Sequence, residues 1–390
     1  MILFQLALRN LLGAGLRTWL NVIVLSVAFV AIILMQGLNE GLRGQISNSL
    51  IDFEYGGGQF WQANFDPYDP LSLSDAHANI PVELQTLIDQ GKALAILSTQ
   101  ATIYPQERVQ PIILNGIDPD QAILDIPSRY LKSEENELVA LIGGRMAQSA
   151  NLRIDDFVTL RWRDAAGTFD ARDVRIVQIM ETDVQSIDNG KVWIPLNTMQ
   201  QMMAVGDEAT LIVLGKSVQP PGEISGWQFK SLDFLLKDIN DLIRMRMYGS
   251  AVFYLIILLI AMLAVVDTQI LSIFRRKKEI GTLIALGMTR ATVVKLFTLE
   301  GFLYGVFAAA VAAIYGTPLF TYLSSNGIPI PQSSESMGLA LGQVLYPAYS
   351  AALILGTTVI VLITVLIVSF LPTRRIAKLK PADALRGRLA

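Results

Sequence analysis

Few side chains in this sequence stand at spacings suited to covalent chemistry. There is no Cys, so neither a disulfide framework nor a thiolate metal site can form. The single His, His77, lies in the polar stretch 72–79, where it reads as a surface residue and cannot assemble a His-rich metal site. No G-x-x-x-x-G-K-[ST] loop is present to cradle phosphates, so the chain is not expected to hydrolyse ATP itself. Nor is there H-E-x-x-H, G-x-S-x-G or a pair of intramembrane aspartates, which argues against an intramembrane enzyme. What remains is charge set beside apolar sequence. Asp267 falls near the end of an apolar run, where an acid is costly and marks function by default. It also stands about two turns before Arg275 and can reach water, so a gating or ion-linked role and a plain solvated acid both stay open. Immediately after that run come Arg275, Arg276, Lys277 and Lys278, then Glu279.

The elements that carry these charges are apolar and long. Hydrophobic residues make up 52% of the 390, the mean hydropathy is +0.45, and the excess is concentrated in four runs. These are Trp19–Leu38, Tyr248–Phe274, Val293–Leu323 and Tyr349–Leu371. Each reaches the roughly 20 helical residues that cross a hydrocarbon core about 30 Å thick. The two middle runs exceed that length and can tilt or protrude. Between the first and second runs, residues 39–247 alternate short apolar stretches with Gly, Pro and Asp clusters, as a soluble mixed domain does.

Charge sets the orientation. Residues 39–247 hold 17 Lys and Arg against 29 Asp and Glu, whereas the rest of the chain holds 14 against 5. The basic residues near the spans fall in three groups: Arg9 with Arg17, Arg275–Lys278 with Arg290 and Lys295, and Arg374–Arg388. Lys and Arg in short loops mark the cytoplasmic side. The four spans then leave both termini in the cytoplasm and the large domain outside, in a multi-pass membrane protein.

The expected organisation follows. Residues 1–17 form a cytoplasmic interfacial amphipathic helix with Phe4, Leu8, Leu11 and Leu12 at helical spacing, and the first span, 18–38, is an uncleaved anchor. Residues 39–247 form a periplasmic domain with helical stalks. Leu38, Leu42, Ile46 and Leu50 continue the first helix as one stalk until Gly56–Gly58 breaks it, and the amphipathic Ile224–Met247 forms the other. The second span is 248–274, a cytoplasmic connecting helix fills 275–292, and the third span is 293–324. A short outer loop at 325–348, the fourth span at 349–371 and a cytoplasmic tail at 372–390 complete the chain. Within the domain, helices are expected at 81–90, 145–150 and 196–203, and strands at 93–104, 111–116, 157–162, 172–180 and 191–195. The fold class is therefore an α-helical membrane protein with four transmembrane helices and a large α+β extracytoplasmic domain inserted between the first and second spans.

DTQILSIFRRKKEIGTLIALGMTRATVVKLFTLEG, Asp267 to Gly301, is the most specific stretch. It closely resembles the signature of the MacB/FtsX/LolC–LolE superfamily of ABC-transporter permeases, in which a span ends in basic residues and E-I-G-x-L-x-A-L-G follows. Glu279, Ile280, Gly281, Leu283, Ala285, Leu286 and Gly287 match it. The closing LPTRRIAKLKPADALR, Leu371 to Arg386, the opening ALRNLL, Ala7 to Leu12, and the segments IGGRMAQSANLRIDDFVTL and KVWIPLNTMQQM are also similar to family patterns. About two thirds of the chain is covered; 52–137 is not. One departure is Asp267–Thr268, where the family commonly has Asn followed by Thr.

Taken by itself, Glu279–Arg290 reads as a short amphipathic helix. Ile280, Leu283, Ile284 and Leu286 lie on one side, and Gly281 and Gly287 let another surface approach. The basic run can anchor it at anionic membrane lipid. The resemblance implies a coupling helix that docks in a groove of a separate cytoplasmic ATPase dimer, through Arg275, Arg276, Lys277, Lys278, Glu279, Gly281, Ala285, Leu286 and Gly287, with Glu279 the foremost polar contact. ATP and Mg would then sit in that partner, and this chain would bind no cofactor and no nucleic acid. Gly301, Gly305, Ala309 and Ala313 form a small-residue stripe that suits either packing within the chain or a dimer seam. The resemblance implies a second permease copy, identical or a paralogue, and a periplasmic domain with the MacB-like fold. It further implies mechanotransmission: nucleotide-driven movement of the ATPases is relayed to the outer domain. The length and the MQGLNEGLRGQI extension look most like the LolC/LolE branch, with a lipoprotein substrate and a periplasmic carrier. MacB-like export of peptide, antibiotic or lipid and FtsX-like control of an extracytoplasmic hydrolase are the alternatives.

Overall fold

The computed structural model of the chain describes residues 2–13, 15–132, 137–182, 185–329 and 344–374. Most of the expected outer loop (330–343) and the tail from 375 on, with its closing motif, lie outside the described residues. In chain order, the helices α1 (Ile2–Gly13) and α2 (Leu16–Leu50) lead through a π-helical turn, Ile51–Tyr55, into strand β1 (Gln59–Gln62). Then follow β2 (Ala78–Asn79), α3 (Val82–Asp89), β3 (Ala93–Tyr104), β4 (Gln110–Ile117), β5 (Val139–Gly143), α4 (Gly144–Ala150) and β6 (Phe157–Arg163). Next come β7 (Phe169–Met180), α5 (Gln185–Asp188), β8 (Lys191–Pro195), α6 (Leu196–Met203), β9 (Glu208–Ala209), β10 (Leu211–Leu214) and β11 (Trp227–Lys230). The chain continues with α7 (Leu232–Leu235), α8 (Lys237–Arg275), α9 (Lys277–Ala285), α10 (Arg290–Asn326) and α11 (Ala351–Thr373). Two compact units result, one of long helices and one built mainly from Arg43–Asp241.

In the soluble unit a nine-stranded sheet runs β11-β1-β10-β3-β4-β8-β5-β7-β6, and β6 returns to pair with β3. The last six strands thus close a barrel, which removes their free edges. The twelve-residue β3 makes this possible by serving two neighbours on one edge. Its start pairs antiparallel with β10 (Leu94↔Val213) and its end with β6 (Ile103↔Leu160). Alternation in FVTLRWR puts Val158, Leu160 and Trp162 inside and leaves Phe157, Thr159, Arg161 and Arg163 exposed, as period-2 geometry requires. Leu97, Ile112, Leu114, Ile142, Val174 and Ile194 fill the same interior. Helix α6 packs Met199 and Met203 into it, and Trp162 Nε1 donates to the Met202 carbonyl at 2.9 Å. On the outer face, Leu94, Ile96, Ile117, Leu141 and Trp193 form a second core with Leu50 and the partly buried Ile51, Phe53 and Tyr55.

Among the described residues, four helices are long and apolar enough to cross a membrane: Thr18–Tyr55, Lys237–Arg275, Arg290–Asn326 and Ala351–Thr373. They enclose Leu25, Phe29, Val265, Leu303, Ala308, Val361 and Val365. α8 and α11 lie largely exposed, whereas about half of the apolar window of α2 is buried, so α2 is the more interior helix. Polar side chains tie the helices together: Asn21 Nδ2 to Thr268 Oγ1 at 2.6 Å, Thr357 Oγ1 to Gln36 Oε1 at 2.6 Å, and Asn39 Nδ2 to the Tyr254 hydroxyl at 2.9 Å. Such bonds between helices contribute modestly, roughly 0.6 kcal/mol each on average.

Several expectations need correction. The presumed second stalk, Ile224–Met247, is not one helix. Trp227–Lys230 is a strand paired with β1, and continuous helix begins only at Lys237. Strand pairing wins there because Trp227 is buried in a core with Phe60 and Ile212, which a helix could not supply. β1, β10 and β11 were not anticipated. His77 is partly buried and bonded to Glu208, next to the β2–β9 pairing, so it is not a bare surface residue. In the leading helix, Ala7 and Leu11 are buried in the helical core while Phe4 is half exposed, so α1 packs against the bundle on one face.

The small-residue stripe also departs from its simple spacing. A Cβ on Gly301 would collide with Gln269 Nε2 and Ser369 Oγ, and one on Gly305 would stand 3.0 Å from Leu362 Cδ2. Both glycines are therefore used within the chain, against α8 and α11. Ala313 is exposed, and Ala308, Ala312 and Gly316 take the buried positions instead. A strict four-residue repeat drifts around a helix of 3.6 residues per turn, so it leaves the contact face. We expect Gly301→Val to destabilise the bundle by about 1–3 kcal/mol through overpacking, and Ala313→Val to change stability by less than about 0.5 kcal/mol. Thermal unfolding in detergent checks both; equal effects at the two positions would contradict this packing.

Candidate functional site

The basic segment after α8 is where the expected coupling residues gather, and α9 is built to present one face and bury the other. Ile280 and Gly281 are fully buried, and Leu283 and Ile284 partly so, against Ile273, Val293, Val294 and Phe297. Lys278, Glu279, Thr282, Ala285, Leu286 and Gly287 are exposed, Leu286 to 81%. Arg275 is exposed just before the helix, while Arg276 and Lys277 are half-buried. Leu286 was expected beside Ile280 on the apolar side. It lies on the open side instead, because α9 ends at Ala285 and Leu286 is its cap.

The two glycines differ in their surroundings. Gly281 is buried. Gly287 has φ of 99°, with open space where a Cβ would be. Its N–H donates to the Ile284 carbonyl at 3.1 Å and the Met288 N–H to the Leu283 carbonyl at 3.0 Å. That paired pattern is the Schellman termination of a helix, with Met288 and Leu283 in the apolar contact that accompanies it. Gly287 is required because side chains other than glycine are strained at that angle. It ends the helix and starts the turn to α10, whose N-cap Thr289 accepts from the Thr292 N–H.

What holds α9 in place is an acid that the sequence reading passed over. Glu300, on α10, is 7% exposed. Its Oε1 accepts from Asn10 Nδ2 of α1 at 2.7 Å and from Arg276 Nη1 at 3.0 Å, and its Oε2 accepts from the same Nη1 at 2.9 Å. Arg276 Nε in turn donates to Glu279 Oε2 at 2.7 Å, and the guanidinium carbon lies 4.8 Å from the centre of the Phe297 ring. One arginine therefore joins the start of α9 to the interior of α10, and one carboxylate joins both to α1. Arg suits this position because its planar fork presents several donors and stays charged. Glu279, expected as the foremost contact for a partner, is engaged by Arg276 while its side chain remains 63% exposed. Asp267, the acid singled out from the sequence, is exposed on α8. The signal for Glu300 was present: an acid two to three turns into an apolar run, behind a basic connector.

Other contacts brace the same level. Gln269 Nε2 donates to the Phe297 carbonyl at 3.3 Å, and the Thr298 and Thr373 hydroxyls are 3.0 Å apart. Among the described residues, no group of three or more His, Cys, Asp or Glu could hold a metal ion. The arrangement offers no nucleophile with a base. It offers a short helix packed against α8 and α10, with Lys278, Glu279 and Leu286 turned outward.

Comparison with known proteins agrees in both halves of the chain. Residues 18–224 match the MacB-like periplasmic core domain, and residues 251–381 match the FtsX-like permease C-terminal family. The lipoprotein-releasing system transmembrane protein LolC of Xylella fastidiosa is 21% identical over 361 residues, 82% of this chain and 86% of that protein. An uncharacterized ABC transporter permease of Methanocaldococcus jannaschii is 29% identical over 131 residues, a match spanning 33% of this chain and 30% of that relative's length. Among solved structures, the extracellular domain of the noncanonic ABC-type transporter YknZ from Gram-positive bacteria is similar at 15% identity. That match covers 41% of this chain and 84% of the other, with a TM-score of 0.26.

Removing either partner of a buried ion pair leaves an uncompensated charge, whereas replacing both need not. Glu300→Leu and Arg276→Met should each lower stability by about 1–3 kcal/mol. The double variant should fall short of the sum of the singles by about 1 kcal/mol or more. Denaturation of the four proteins in one detergent measures the coupling, and strict additivity would rule out the pair as the mount of α9.

Proposed function

We propose, for a chain that belongs to the FtsX/MacB-like family of ABC-transporter permeases, a LolC-like role in releasing lipoproteins from the membrane. The chain is a multi-pass membrane protein with an extracytoplasmic domain, and the ATPase of such a permease lies in a separate subunit. The LolC reading is supported above all by similarity along 86% of the length of the LolC relative. In this reading the protein resides in a bacterial inner membrane with both termini cytoplasmic and the barrel domain periplasmic. The imbalance of basic residues supports that orientation, since 14 Lys and Arg stand against 5 Asp and Glu outside residues 39–247.

The work is mechanical. A cytoplasmic ATPase dimer binds ATP with Mg and engages α9 on two permease chains. Arg275, Lys277 and Lys278 supply charge, Ala285 and Leu286 apolar contact, and Glu279 a polar contact. Leu286 is the strongest candidate, because an apolar side chain 81% exposed beside a basic cluster gains most from being covered. Arg276 acts differently: it ties α9 to Glu300, so force on α9 reaches α10 and α1. Gly281, buried, and Gly287, which ends α9, shape the element without needing to touch the partner. The Gly301–Gly305 face packs within the chain, which leaves the exposed side of α10 around Ala313 for a second permease copy. No cofactor needs to be held by the permease in this account.

Two measurements test it. Reconstituted with its ATPase in nanodiscs, the permease should retain an acylated lipoprotein and release it when ATP is hydrolysed. Retention of a soluble hydrolase instead, or release of lipoprotein without ATP, would contradict the LolC-like reading. Leu286→Asp should weaken association with the ATPase by about tenfold or more, as for a central apolar contact, while leaving insertion and folding intact. Unchanged ATPase binding in that variant would remove α9 as the docking element.

A further inference from the structure

α2 does not end in an ordinary cap. Its last residues widen into the π turn Ile51–Tyr55, closed by the Gly56 N–H donating to the Ile51 carbonyl at 2.9 Å. Such widened turns in otherwise α-helical segments occur often at functional positions. Here both acids of the turn are held by lysines. Glu54 accepts from Lys191 Nζ of β8 at 2.6 Å, with the two side chains only 22% and 15% exposed. Asp52 pairs with Lys216, just beyond β10. The backbone is tied as well. The Asp52 carbonyl accepts from the Asp125 N–H at 2.8 Å, the Glu54 carbonyl from Gln59 Nε2 at 2.8 Å, and the Leu214 carbonyl from the Gly57 N–H at 2.7 Å. Gly56 and Gly57 are needed for this approach, since a Cβ on either would collide with the carbonyl of Leu214 or Gly215. Beneath the turn, Phe53 and Tyr55 pack on the outer barrel face with Ile117, Leu141 and Trp193.

The placing of the two lysines matters more than their number. In the sheet, β10 and β8 are three positions apart, in the order β10-β3-β4-β8. Nor do the two lysines stand at one level along the strands: Lys191 is opposite Ile113 of β4, whereas Leu214, two residues before Lys216, is opposite Ala93 at the start of β3, beyond the Ile96↔Ile117 pair. A helix end fixed at one point can pivot without moving what it touches. Fixed at two separated points, it transmits rotation as well as push and pull. Lys191 lies within the barrel, whereas Lys216 follows a strand of the three-stranded extension, so both parts of the sheet are gripped by one five-residue turn.

We propose that Asp52 and Glu54 are positioning residues of the transport reaction: with Lys216 and Lys191 they form a two-point joint that makes the barrel follow the end of α2. This rests on the permease reading above, and α2 is the helix that also contains the first apolar span. Neither acid touches substrate. Their part is to keep the turn rigid against the sheet, so that movement of the helix is not lost in a swivel.

The chain has no cysteine, so labels can be placed at will. The full permease with its ATPase, carrying spin labels at Asn48→Cys and Phe157→Cys, is compared with and without a non-hydrolysed ATP analogue. Both sites are exposed, one on the end of α2 and one on β6. The wild-type joint should give one narrow distance that does not change with nucleotide. Glu54→Gln combined with Asp52→Asn should broaden it and lower lipoprotein released per ATP by about fivefold or more, with the ATPase rate retained. The charge-exchanged pair Glu54→Lys with Lys191→Glu should recover most of that coupling relative to Glu54→Lys alone. A wild-type distance that shifts with nucleotide, unchanged release in the double variant, or no recovery by the exchange would each overturn the joint. Absence of ATP-dependent lipoprotein release in the wild type would instead overturn the LolC-like reading, and the distance measurement would still decide on the joint.

Discussion

A carboxylate removed from water must find its charge and hydrogen bonds nearby, and that constraint organises the helical unit around Glu300. Desolvating an ion is expensive, and the attraction of its partner repays the cost only when the geometry is good and the remaining lone pairs are used. Glu300 meets this with both oxygens engaged by Arg276 and one also by Asn10. The consequences spread from there. Arg276 has to sit at the start of α9, so α9 cannot drift from α10. Asn10 has to reach inward, so α1 packs by Ala7 and Leu11 and does not merely float at the interface. The tight crossing at Gly301, one residue further on, lets α8 and α11 close over the same level. Buried pairs are weak sources of stability, and in some proteins they fix which arrangement forms. The coupling role proposed for α9 would need that kind of fixing.

The soluble unit solves a different problem, that of giving a helix a firm grip on a sheet. Closing six strands into a barrel leaves no edge free among them, and the length of β3 lets the barrel share a strand with the three-stranded extension. The π turn with its two lysine-held acids sits on the outer face of the barrel. In both units a charged pair stands at a helix end: Arg276 with Glu279 and Glu300 at the start of α9, and Asp52–Lys216 and Glu54–Lys191 at the turn after α2.

Much of this was legible in the sequence because it is local. The long helices follow from apolar runs, and β8 and α6 were anticipated at their observed boundaries, since KVWIP and LNTMQQMM carry their own periodicity and a Pro between them. The break at Gly56 was legible because three consecutive glycines cannot continue a helix. The rest depends on partners distant in the chain. β1 becomes a strand by pairing with residues 211–213 and 227–230, and β11 overrides an amphipathic helical pattern for the same reason. The site was read with the right segment and the wrong emphasis. Periodicity places Leu286 on the buried side, but α9 ends one residue earlier, and the backbone angle at Gly287 calls for glycine in addition to any close approach. Asp267 drew attention as the acid of a span, while Glu300, 24 residues beyond Arg276, showed its partner only once α9 folded back between them.

The ATPase of a permease of this family lies in a separate subunit, and in the role proposed above it acts on a helix that one arginine ties to one buried glutamate. Amide hydrogen exchange of Lys277–Ala285 tests that claim most directly, with wild type and Glu300→Gln compared in the same lipid. If the pair mounts α9, exchange across those amides should quicken by about tenfold or more in the variant, as for a segment that opens locally, while the amides of β3 keep their protection. Unchanged exchange in α9 would show that apolar packing alone holds the helix, and the central role given to Glu300 would fall.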